Sequence, residues 1–162
     1  MTLYIVFKVL HVAAAIMFLG NISVGLFWKR WADRTNDARI VAHTIDGIIR
    51  ADRLFTIPSV ILLVIAGVGA AQTAHIPILG TGWILWSLGL FVIAGLAFGP
   101  IVRVQRLLSA TAHEGVTSGT MSWELYHKFS GVWDFWGAIA LVAPVIAAVL
   151  MIAKPVLPAF HQ

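Results

Sequence analysis

The sequence predicts an all-α fold: an integral membrane four-helix bundle. Three observations carry that prediction. The 162-residue chain is 60% hydrophobic and only 11% charged, with a mean hydropathy of +0.92; a soluble domain is nearer half apolar and a quarter charged. Four apolar runs, at about Leu3–Trp28, Leu54–Ala74, Trp83–Val102 and Val132–Ala153, are each long enough to cross about 30 Å of hydrocarbon. The basic residues gather at the ends of those runs, where they orient membrane helices. With so little chain between the runs, one compact bundle over residues 1–162 is the simplest arrangement. The net charge of +4 is therefore an orientation signal and not a nucleic-acid signal. Cysteine is absent, which excludes disulfides, thiolate metal sites and cysteine nucleophiles. No phosphate-cradling glycine loop, nucleophile elbow or HExxH zinc motif is present.

The elements follow in order. The first run has no basic segment before it and is followed directly by Lys29 and Arg30, as expected of a retained span and not a cleaved leader. The first connection contains Lys29, Arg30, Arg34, Arg39, Arg50 and Arg53. Within it Val41, Ile45, Ile48 and Ile49 recur at helical spacing, so an amphipathic helix, capped by Thr35 or Asn36, is expected to run into the second span with a bend near Pro58. Ala66 and Ala70 in the second span, and Gly95 and Gly99 in the third, are small-residue pairs suited to close helix contact. The second connection, His75–Gly82, holds no lysine or arginine, whereas Arg103, Arg106 and Lys128 follow the third span. The segment His113–Met121 reads as a turn, after which Ser122 caps a helix carrying Trp123, Glu124 and Tyr126 into the fourth span. Pro144 is expected to bend that span. The positive-inside rule places the first and third connections in the cytoplasm, both termini outside, and two helices extended into the cytoplasm. The expected location is a cell membrane of the bacterial inner-membrane type.

Two polar groups interrupt the outer half of the first span. Lys8 and His11 are one helical turn apart on one face. Lys8 lies close enough to the helix end to snorkel outward. His11 is deeper and needs a hydrogen-bond partner or a ligand. The readings are a satisfied structural histidine, a haem b ligand with Lys8 beside a propionate, or another metal or proton role. Candidates for a second ligand are His75 and Met151, and a five-coordinate haem is the third option. No second histidine lies within a span, so a two-histidine electron-transfer pair is not expected.

A second set, Asn21, Asp52, Arg53, Thr56, Arg103, His127 and Asp134, gathers toward the cytoplasmic side. Asp52 shares a face with Val41, Ile45 and Ile48, and His127 shares one with Asp134. Arg103 is placed to pair with either carboxylate. This set reads as an ion-pair network closing the bundle or as a proton or ligand entry site. His43 and His113 read as solvated surface residues and His161 as a tail residue.

The stretches LHVAAAIMFLGN, DRLFTIPSVILLVIAGVG and LYHKFSGVWDFWGAIALVAPVIAAVLMIAKP resemble the small integral membrane proteins of domain-of-unknown-function family 2269. The resemblance covers nearly the whole chain and implies a four-span bundle of unassigned activity. The shorter FKVLHV is similar to first-helix motifs of HemJ-type protoporphyrinogen oxidases and copper-resistance protein D domains. The first likeness implies His11 as the haem-associated residue. It lacks the third-span lysine of those enzymes, so their oxidase activity is not carried over. The second implies copper ligands drawn from His11, Met17 and Met151. Two functions follow as expectations: a haem b-binding, redox-active membrane protein, or a non-enzymatic small transporter, metal-handling unit or membrane partner subunit. Either is compatible with a homo-oligomer.

Overall fold

The computed structural model describes residues 2–160; His161 lies outside them. Every regular element among the described residues is helical. Helix α1 spans Thr2–Asp33, α2 Ala38–Ala51, α3 Ile57–Thr73, α4 Gly82–Ser118 and α5 Trp123–Ala153. One π-helical turn, Asp52–Thr56, joins α2 to α3 without a break. Four helical stretches are thus long and apolar enough to cross a membrane: Leu3–Asp33, Ala38–Thr73, Gly82–Ser118 and Trp123–Ala153. Their outward side chains match that solvent. Leu96 is 72% exposed and Ile152 83% exposed, which is tolerable against lipid.

Pro58 explains the π turn. A proline has no N–H to give the carbonyl four residues back, here that of Leu54, and its ring crowds that carbonyl. The turn before it widens instead, and the Ile57 N–H bonds the Asp52 carbonyl. The α2 start differs from expectation. Asp37 caps it, its carboxylate accepting from the Arg39 and Ile40 N–H groups at 2.8 and 3.4 Å. Thr35 and Asn36 belong to the preceding turn, where Thr35 Oγ1 donates to the Ala32 carbonyl and Asn36 takes φ 51°.

The 37-residue α4 is about 55 Å long at the standard rise. It runs through most of the segment expected to turn and stops at Gly119, whose φ of 74° closes it. Gly115 is a place of close approach and not a turn residue. A Cβ there would stand 2.7 Å from that of Met121, which folds back over it. Gly95 and Gly99 also differ from expectation: both are exposed, with nothing near a Cβ at either. The buried alanines Ala94 and Ala97 on α4, and Ala140, Ala143 and Ala147 on α5, provide the small residues of the core instead.

The helices pack as two pairs, α1 with α3 and α4 with α5. Helix α2 lies against α4 and α1, and α1 also meets α5. Among the described residues α3 makes no close approach to α4 or α5. The continuous core therefore sits at the end bearing the α1–α2 and α4–α5 connections. There Val41, Ile45 and Ile48 of α2 join Ile101, Val104 and Leu108 of α4 and Tyr126 and Trp133 of α5. Arg30, Arg34, Arg39, Arg50, Arg53, Arg103, Arg106 and Lys128 are exposed around this basic end. The opposite, terminal end is tied by the chain after α5. The Phe160 N–H donates to the Leu79 carbonyl and Trp86 Nε1 to the Pro158 carbonyl, both at 3.2 Å.

Candidate functional site

The terminal half contains His11. Its Nδ1–H donates to the Leu63 carbonyl at 2.8 Å, and that bond fixes the tautomer because a carbonyl can only accept. The ring meets α3 at Gly67, where a Cβ would stand 2.9 Å from His11 Cε1 and 3.0 Å from Nδ1. One turn earlier Phe7 lies on Gly69 in the same way, 2.7 Å from the position of a Cβ. Two bare glycines thus receive two flat rings along the α1–α3 seam. Lys8 is exposed, and its ammonium lies 5.9 Å from the Tyr4 ring centroid, toward the helix start. His75 is exposed in the α3–α4 connection, Met17 is exposed on α1, and Met151 is half-buried on α5. His11 faces α3, to which α5 makes no close approach. Among the described residues no group of three or more His, Asp or Glu side chains is placed to hold a metal ion. Toward haem b this donor set offers one nitrogen: the Nδ1 bond to the Leu63 carbonyl leaves His11 Nε2 unprotonated, as in a ligating histidine, and among the described residues no second histidine or methionine stands on the facing helix α3.

The basic half contains two polar clusters. The first is built on Asp52. Its Oδ1 accepts from Asn21 Nδ2 at 3.2 Å and from Thr56 Oγ1 at 2.9 Å, and its Oδ2 accepts from Gln105 Nε2 at 2.9 Å. Asn21 also donates to Thr56 Oγ1 at 2.8 Å. Every donor is neutral, and no lysine, arginine or histidine forms an ion pair with Asp52 among the described residues. The π turn sets Asp52 and Thr56 side by side at the point where α2 enters the span. Against this cluster lies a cavity of about 400 Å³ between α1, α2, α4 and α5. Asn21, Asp52 and Gln105 form one wall, and Trp28, Phe98 and Trp133 bring aromatic rings to it. His43 and Gly47, both exposed, bring it to the surface beside α2.

The second cluster is built on Lys29, which is fully buried. Its ammonium lies 2.8 Å from Asp33 Oδ2, 3.7 Å from Asp134 Oδ1 and 2.5 Å from Ser130 Oγ. Tyr126, also fully buried, donates its hydroxyl to Asp33 Oδ1 at 2.5 Å. The Trp133 ring centroid is 5.0 Å from the same ammonium, within cation–π range. Trp133 thus touches both clusters, and its buried indole N–H has no hydrogen-bond partner among the described residues. A charge 2.8 Å from a carboxylate deep among apolar side chains closes the bundle as an ion pair.

Of the residues singled out in the sequence, Asn21, Asp52 and Thr56 come together, and Asp134 joins Lys29. Arg103 and His127 join neither cluster. Arg103 is exposed with no ion pair among the described residues, because it lies on the outer face of α4. His127 is exposed beside the Trp123 and Tyr126 rings, at 6.0 Å from each. Arg53 is exposed. His43 and His113 are both exposed as expected, and His113 Nε2 bonds Asp46 Oδ2 at 2.8 Å while Asp46 Oδ1 accepts from Ser109 Oγ. Sequence reasoning missed Lys29, Asp33, Ser130 and Gln105. The signal available was spacing: Lys29 and Asp33, and Ser130 and Asp134, are each four residues apart and share a helix face.

No curated protein and no solved structure matches this chain, so the first-helix likeness to HemJ-type and copper-resistance proteins has no support from the comparisons. The family model for "Predicted integral membrane protein (DUF2269)" matches residues 5–155. The chain therefore belongs to that family of integral membrane proteins and is a multi-pass protein of the lipid bilayer.

Proposed function

We propose that this protein is a membrane-embedded binding or transport unit for a small organic cation, and not a haem-carrying oxidoreductase. The observation that carries this reading is Asp52. It is a carboxylate without a cationic partner among the described residues, held by three neutral donors on the wall of a largely apolar cavity. An ionised carboxylate in a membrane helix has a cost of about 2.5–3.5 kcal/mol on the insertion scale, and such groups mark substrate or ion paths. The cavity volume of about 400 Å³ suits a small ligand. Its aromatic walls and single acid are the chemistry that receives an alkylammonium or other soft cation. Asn21, Thr56 and Gln105 hold the carboxylate oxygens in place, and Trp28, Phe98 and Trp133 supply ring faces to the cation's apolar body.

Benzyltrimethylammonium is a suitable probe. Titrated into detergent-purified protein, it is expected to shift the tryptophan fluorescence saturably, with at least tenfold weaker binding in Asp52→Asn and unchanged binding in His11→Ala. Binding that is equal in wild type and Asp52→Asn overturns the reading. A Soret band after expression with ample haem, lost in His11→Ala, overturns it in favour of the haem alternative.

A further inference from the structure

A second recess lies on the outside of the basic end, between α1 and α5. It measures about 360 Å³ and is lined by Leu26, Phe27, Arg30, Trp31, Arg34 and Leu141, with Ser23 at its far end. Its two ends differ in chemistry. At one, Arg30 and Arg34 stand one helical turn apart on the same face. Both are exposed, and among the described residues neither bonds to a carboxylate. The nearby acid on α1, Asp33, is already taken by Lys29 and Tyr126. At the other end the wall is apolar. Ser23 presents no free donor there, because its hydroxyl bonds the Leu19 carbonyl at 2.8 Å. The Phe27 and Trp31 rings stack along one side, with centroids 6.2 Å apart and planes at 25°.

We propose that this groove binds an anionic phospholipid of the leaflet at the basic end. The phosphate sits between Arg30 and Arg34, and one acyl chain descends along Leu26, Phe27 and Leu141. Charge complementarity supplies the first half of the argument: two unpaired guanidinium groups offer forked donors to phosphate oxygens. Length supplies the second. From Arg34 to Ser23 the helix rises about 16 Å at 1.5 Å per residue, which spans the headgroup level and the upper half of one leaflet. Trp31 stands at the level where interfacial aromatics sit. A free anion would use the arginines and leave the apolar groove unfilled; a lipid uses both. This inference stands apart from the cavity reading, since the two share no polar residue.

The test is native mass spectrometry of the delipidated protein in detergent, titrated with phosphatidylglycerol or phosphatidylcholine. Phosphatidylglycerol is expected to bind at least tenfold more tightly than phosphatidylcholine. The Arg30→Gln/Arg34→Gln variant is expected to lose that preference, and an Arg103→Gln/Arg106→Gln variant with the same loss of charge to keep it. Millimolar inorganic phosphate is expected to leave the bound lipid in place. Equal binding of the two lipids overturns the proposal. So does retention of the preference in Arg30→Gln/Arg34→Gln, or an equal loss in Arg103→Gln/Arg106→Gln, which would mark a general basic belt. Displacement by inorganic phosphate overturns it in favour of a free-anion site.

Discussion

The α1–α3 seam of the terminal half and the core of the basic half solve the same problem by opposite means. At the seam, one polar side chain, His11, meets a backbone carbonyl, and contact is made by rings lying on bare glycines. In the basic half, contact is made by networks of charged and polar side chains: Asp52 gathers donors from α1, the π turn and α4, and Lys29 ties α1 to α5 through several partners at once. The seam is local: it joins two helices. The basic half is collective: removing one member leaves the others unpaired. Between helices in lipid there is little hydrophobic driving force, so close packing and polar contacts decide association. The contrast implies that the two halves should respond differently to substitution.

The largest effect is expected at Lys29. Lys29→Met leaves Asp33 and Asp134 without their cation and should lower stability by about 3–5 kcal/mol, read by reversible unfolding in mixed micelles. Adding Asp33→Asn and Asp134→Asn to that variant should recover much of the loss, because unpaired charge and not lost packing is the cause. A triple variant no more stable than Lys29→Met would break the collective picture. A smaller effect is expected at Gly67. Gly67→Val pushes a side chain into the His11 ring and should lower stability by about 1–3 kcal/mol through overpacking. A neutral result in the same assay would show that the seam is looser than its contacts imply. The smallest belongs to His11. His11→Ala removes one interhelical hydrogen bond, worth about 0.6 kcal/mol on average and up to about 1.7. A loss well beyond that would show that the imidazole holds more than the Leu63 carbonyl.

The four-span architecture was legible because hydropathy and span length act on each helix alone. The amphipathic α2 was legible for the same reason: Val41, Ile45 and Ile48 are all buried as their spacing implied. What escaped was whatever depends on which helix faces which. Lys29 was counted among the solvated charges of a connection, since nothing local shows that Ser130 and Asp134 come to meet it. Arg103 was expected to pair with a carboxylate, but helix phase turns it outward, and Gln105, two residues on, takes that place. His11 needed a partner, as its depth implied, yet only the packed pair shows that the partner is a main-chain oxygen. The end of α4 was misplaced because Gly115 carries the composition of a turn while serving a close crossing.

The widened turn at Asp52–Thr56 bears on how this chain tolerates changes in length. A π turn holds one residue more than the α-helical path between the same two flanks. Deleting Leu54, which is 68% exposed, should let the backbone relax to an ordinary spiral while α2 and α3 keep their present partners. The variant should still insert and assemble, with Asp52 and Thr56 three residues apart in place of four, a spacing that keeps both on one helix face. A one-residue deletion near Gly67 has no such slack and would swing the rest of α3 by about 100°. Relatives that lack a residue in this short window would thus be expected to retain the scaffold, whereas a loss elsewhere in α3 would dismantle its contacts with α1.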